Sequence, residues 1–152
     1  MHGDMQNSKI KIFDGFWSRD DVENNPRSLF VFGDNNIGRG KGGQAIIRGL
    51  PNTIGIPTKK YPSNDPKSFY TDIEFEDNAK RISNAINEII KMSKNYDYVV
   101  LPKDGFGTGL AQLPKVAPKT NAYLIEQVEN LCGTLKKEKS SNDVFLNKKL
   151  KK

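Results

Sequence analysis

The chain has 152 residues, 36% of them hydrophobic, and a net charge of +6, which suits one domain with one buried core. No apolar run approaches ~18 residues, so a membrane-spanning helix is excluded, and the single cysteine, Cys132, excludes an internal disulfide and a cysteine metal cluster. The single histidine is His2, at the start of the chain, which removes histidine triads, zinc sites and histidine general bases from consideration.

In chain order, Lys9-Ile10-Lys11-Ile12-Phe13 alternates and reads as a short strand, followed by an Asp14-Gly15 turn. Ser18 with Asp21 three residues on reads as a capping box for a helix over Asp20–Glu23, and Asn25-Pro26 ends it. Ser28–Phe32 is an unbroken apolar run, as expected of a central strand buried on both faces. A glycine-rich segment follows: Gly33-Asp34-Asn35-Asn36-Ile37-Gly38-Arg39-Gly40-Lys41-Gly42-Gly43-Gln44-Ala45. Gly43–Arg48 reads as a short helix, Asn52–Pro57 as a strand closed by Thr58-Lys59-Lys60, and Tyr61–Ser68 as a loop with two prolines.

Glu76–Asn95 is the clearest helix, with Ala79, Ile82, Ile86, Ile89 and Ile90 on one stripe. Tyr98–Leu101 is a second buried strand, leading into Pro102-Lys103-Asp104-Gly105-Phe106-Gly107-Thr108-Gly109-Leu110. Pro114–Leu131 reads as the last helix, with Pro118 in its first turn and Val116, Thr120, Tyr123, Leu124, Gln127, Val128 and Leu131 on one face. Strands alternating with helices imply an α/β fold. Residues 133–152 hold seven lysines against Glu138 and Asp143, so this tail carries +5 and the body only +1. The body is not expected to bind nucleic acid, whereas the tail offers a weak contact for it or stands as a solvated terminus. The first residues contain no apolar signal-peptide core, so the expected setting is cytoplasmic, with no membrane partner.

Both glycine segments leave the carboxyl ends of strands, where open α/β sheets bind ligands. Glycine lets the backbone come close to a ligand and turn its N–H groups toward an anion. The P-loop pattern fails, because Gly38 is followed by Arg39-Gly40. Gly38, Gly40 and Gly43 have dinucleotide-fingerprint spacing, but five residues separate them from the strand and the next strand ends in Pro57-Thr58-Lys59. Thr108 adds a hydroxyl donor to the second loop. Phe106 either packs on a ribose or base or plugs the loop into the core. Asp34 and Asn35 either orient a ribose or cap the loop. Arg39 and Lys41 either meet phosphate or stay solvated. No carboxylate pair or metal loop stands out, so no cofactor or metal is expected.

Over about residues 10–131, the order of the two loops resembles the macro domain family, which binds ADP-ribose. The branch containing the terminal ADP-ribose protein glycohydrolase is the most similar, since a Thr-Lys pair closes the strand between the loops there, as Thr58-Lys59 does here. Small macro-like proteins of bacteriophages are also similar, which would make the setting a host cytoplasm. The resemblance implies a three-layer α/β/α sandwich over residues 1–132 with a mixed, mainly parallel sheet, followed by the lysine-rich tail at 133–152. It implies an ADP-ribose or related NAD-derived ligand, sensed or sequestered through Asp14, Asp34, Asn35, Gly38, Gly40, Gly42, Gly43, Gln44, Gly105, Phe106, Gly107, Thr108, Gly109 and Leu110. Phe16 or Trp17 would pack on the base, the alternative being that both are core residues beside the turn. The alternatives are an ADP-ribosyl hydrolase or ADP-ribose phosphoesterase, or an interaction module acting through the basic tail. For the hydrolase the resemblance makes Lys59 the nucleophile, with Lys60 available to lower its pKa. The branch has an aspartate where this chain has Ala111, leaving Asp104 as the nearby acid.

Overall fold

The computed structural model describes the backbone of residues 8–150 and the side chains of 8–136. His2 and the tail lysines other than Lys136 lie outside the described side chains. Four strands form one sheet: β1 (Ile10–Phe13), β2 (Ser28–Asn35), β3 (Thr53–Lys59) and β4 (Tyr98–Pro102), in the order β1-β4-β2-β3. Every ladder is parallel, and one antiparallel bridge joins Lys59 to Phe69 at the β3 edge. The expected α/β class and mainly parallel sheet are therefore present.

The apolar run of β2 is buried on both faces. Leu29 and Val31 face one core, with Ile56, Val99 and Leu101. Helix α2 (Phe75–Ser93) covers that side with Ile82, Ile86 and Ile89, and the long helix α4 (Pro118–Leu150) covers it with Leu124, Leu131 and Leu135. Phe30, Phe32 and Val100 face the other core. There they meet Trp17, Val22 of the short helix α1 (Arg19–Glu23), and Ala45 and Ile47 of a 3-10 helix over Gly43–Ile47. Three layers result, with the larger core under the two long helices. Leu135 is fully buried, so the core runs three residues beyond the expected body at 1–132.

Local chemistry sets the element ends. The capping box forms: Asp21 N donates to Ser18 Oγ at 3.2 Å, and Ser18 N donates to Asp21 Oδ2 at 2.7 Å. The expected helix over Pro114–Leu131 is instead two helices, α3 (Leu113–Val116) and α4. Pro118 disfavours helical geometry in the residue before it, and Ala117 accordingly adopts φ −150° and ψ 70°. The first turn of α4 is capped from a distance. Asp72 accepts from Lys119 N at 2.8 Å, from Thr120 N at 2.9 Å and from Thr120 Oγ1 at 2.9 Å. Burial pushes the Asp72 carboxyl up, but these bonds outweigh it and hold the group below its ordinary value. Asp72→Ala is expected to cost about 1 kcal/mol in urea unfolding, as for other lost N-caps. The contribution is present above the ordinary aspartate pKa and is lost as the pH falls through the lowered one, so wild type and variant should converge in acid.

Candidate functional site

The sheet opens where β2 outruns β4. β2 pairs with β4 only over Ser28–Phe30, yet continues along β3 to Asn35. Beyond Phe30 no further residue of β2 has a ladder partner in β4. The chain leaves β2 through the 3-10 helix on one face and leaves β4 through α3 and α4 on the other. This is the topological switch at which α/β sheets form a crevice. A cleft of about 950 Å³ lies there, walled by both glycine loops.

The cleft wall includes Asp34, Asn35, Gly40, Gly42, Gly43, Gln44, Lys59, Asp104, Gly107, Thr108, Gly109 and Leu110 from the expected set. Four expected residues are not in the wall. Asp14 is exposed and pairs with Lys103 at 3.4 Å. Gly38 turns the first loop with φ +73°, its N–H held by Asn35 Oδ1 at 2.9 Å. Gly105 offers its carbonyl to Gln44. Phe106 is 5% exposed in the larger core, because a phenyl ring between two glycines gains more by burial than by solvation. Trp17 is buried in the smaller core, whereas Phe16 is 96% exposed and lines the cleft.

Both glycine loops have amides without protein acceptors. Among the described residues, the N–H groups of 40–44 and of 107–111 donate no hydrogen bond. The loops are instead held from behind. Asn35 Oδ1 accepts from the N–H of Ile37 at 3.0 Å and of Gly38 at 2.9 Å, and its Nδ2 donates to Arg39 O at 2.7 Å. This is the loop-capping role, and it uses both ends of the side chain. Arg48 donates to Gly40 O at 2.7 Å and Arg39 O at 3.2 Å, and forms a fork on Asp34. Asp34 is therefore an ion-pair partner for Arg48, packed where a Cβ on Gly55 would come within 2.6 Å of it. In the second loop, Gly107 has φ +77°, and a Cβ there would sit 2.9 Å from Leu113 Cβ. Leu110 reaches across to the first loop, within 3.2 Å of where a Gly42 Cβ would be. The Thr108 hydroxyl donates to Asp104 O at 3.0 Å.

Sequence reading missed Arg48. Its signal was weak, an arginine following a short helix, and only the fold brings it under the loop. Arg39 and Lys41 also line the cleft, and neither has a carboxylate partner among the described residues. No group of three or more metal-ligating side chains is present among the described residues.

Lys59 is 8% exposed at the end of β3. Its Nζ donates to Ser63 O at 2.8 Å and lies 4.8 Å from the Phe69 ring centroid. Desolvation lowers its pKa. Lys60 does not contribute, because it turns away to pair with Glu74 at 2.8 Å. Ala111, at the expected acid position, is buried in the wall, and Asp104 is exposed there. Between the lowered Lys59 pKa and the ordinary lysine value, the unfolded chain binds more protons at this site, so stability rises with pH across that window. Lys59→Met is expected to remove that rise, read by urea unfolding across a pH series, and to be at least as stable as wild type at neutral pH.

No curated protein and no solved structure matches the chain. Residues 12–127 match the model of a family of unknown function, DUF7831, and the match takes in the end of β1, all of β2, β3 and β4, α1, α2, α3, both loops and the start of α4. The chain belongs to that family.

Proposed function

We propose that the cleft binds ADP-ribose or a related NAD-derived dinucleotide, with the diphosphate between residues 40–44 and 107–111, and that the protein senses or sequesters this ligand. The observation that carries the reading is the pair of amide runs without protein acceptors among the described residues, in two loops that line one cleft. Such runs suit an anion that accepts several N–H bonds at once. Arg39 and Lys41 add positive charge beside the first run. Phe16 gives an exposed aromatic face for the base, and the distal ribose would lie near Asn35 and Lys59, which also line the cleft. The macro domain resemblance agrees in loop order.

The test is calorimetric titration with ADP-ribose, NAD and AMP. Micromolar ADP-ribose affinity is expected, about −8 kcal/mol. Gly109→Glu is the variant of choice, because a Cβ at Gly109 meets nothing within 4 Å, whereas one at Gly107 would collide with Leu113. The added carboxylate is expected to lower affinity by ~10-fold or more without unfolding the protein. Absence of binding to all three ligands would overturn the reading.

Hydrolysis of an ADP-ribosyl bond is a second reading, favoured by the desolvated Lys59 amine in the cleft wall. A lysine nucleophile must be unprotonated, and burial without a carboxylate partner favours that form. Turnover of an ADP-ribosylated substrate should then rise with pH to a plateau below the ordinary lysine range. Lys59→Met should abolish turnover while ADP-ribose still binds. Turnover that survives in Lys59→Met would dismiss the nucleophile.

A further inference from the structure

Gln44 occupies a position that neither loop motif explains. Phe30 N donates toward β3, to Asn52 O at 2.9 Å. The two-residue alternation of a strand therefore points the Gly33 N–H to the other side, toward β4. β4 no longer pairs there. Gln44 Oε1 supplies the missing acceptor at 2.7 Å, and Gln44 Nε2 donates to Gly105 O at 2.9 Å. One amide group thus spans from the splayed strand to the second loop. Its root is anchored in the smaller core, where the buried Trp17 indole donates to Gln44 O at 3.0 Å. The fit is close, since a Cβ on Gly33 would lie 3.2 Å from Gln44 Oε1. Among the described residues no other side-chain hydrogen bond joins the first glycine loop to the second.

We propose that Gln44 is a positioning residue that sets the separation of the two glycine loops, acting through the loops and not on the ligand. A diphosphate gripped from both sides requires the two amide runs at a fixed distance, whereas a smaller anion held by one run does not. The consequence for binding rests on the nucleotide reading above, but the brace itself does not.

The test uses the full chain with spin labels at Lys41→Cys and Gly109→Cys in a Cys132→Ser background, and reads the inter-loop distance. The parent is expected to give one narrow distribution. Gln44→Glu keeps the acceptor for Gly33 N but sets a carboxylate against the Gly105 carbonyl. The distribution should therefore lengthen and broaden at pH ~8 and return at pH ~4, where a protonated carboxyl can donate again. Gln44→Met, of similar length, should stay broad at both. An unchanged distribution in Gln44→Met would overturn the brace whether or not any nucleotide binds.

Titration of unlabelled Gln44→Glu at pH ~8 should show ADP-ribose affinity reduced by ~10-fold or more. Undiminished affinity beside a broadened distance would overturn the link between loop separation and binding. If the parent fails to bind ADP-ribose, the nucleotide reading falls, and the distances still decide the brace.

Discussion

The difference in length between β2 and β4 is the constraint on which the rest of the structure depends. Three residues of β2 pair with β4, and the remainder of the strand runs on beside β3 alone. A parallel sheet normally pairs each strand fully and covers both faces. Here the sheet tears after Phe30, and the tear leaves one side of the Gly33-Asp34-Asn35 backbone without a strand partner. Three side chains repair it. Gln44 supplies the acceptor that β4 would have supplied to Gly33. Asp34 takes the Arg48 fork. Asn35 turns back to hold the loop that follows. The cleft is the space left between these repairs and the second loop.

The repairs also explain how glycine-rich loops keep a shape. The runs 40–44 and 107–111, whose amides donate no hydrogen bond among the described residues, gain little from their own backbone, and a net hydrogen bond contributes only about 1 kcal/mol. Order therefore comes from carbonyls being held from behind, as Arg48 holds those of Arg39 and Gly40. Holding the carbonyls leaves the amides unused. The Asp34–Arg48 pair also removes the one strand-end carboxylate from the electrostatics of the first loop. Arg39 and Lys41 then stand beside the amide run without a compensating anion among the described residues. The field at this end of the cleft therefore favours an anionic ligand.

Much of the scaffold was legible in the sequence, because its signals are local. The β2 and β4 runs, the isoleucine stripe of α2 and the Ser18–Asp21 box each rest on residues within a few positions of one another. The position of both glycine loops at strand ends was equally legible. The roles of Asp34, Gln44 and Arg48 were not, since they depend on which strand ends first. Asp34 stands open in the sequence between orienting a ribose and capping the loop, and the fold sets Arg48 against it. Phe106 was open between ligand contact and core plug, and only the packing under α3 decides it for the core. The split at Ala117 was available from Pro118 alone, but the apolar face running through both helices masked it.

Lys59 and Lys60 show how one strand end can give two adjacent lysines opposite character. Lys60 turns to Glu74 and is neutralised as an ordinary partly exposed pair, which contributes little. Lys59 lines the cleft, where a carbonyl and a ring face are the partners of its amine among the described residues. Its desolvation is not offset by an anion of the protein, so the charged form is held at a cost. A residue kept for stability alone would be better replaced by an apolar side chain of the same length. An incoming anion changes that balance, because it restores the missing counter-charge beside the ammonium.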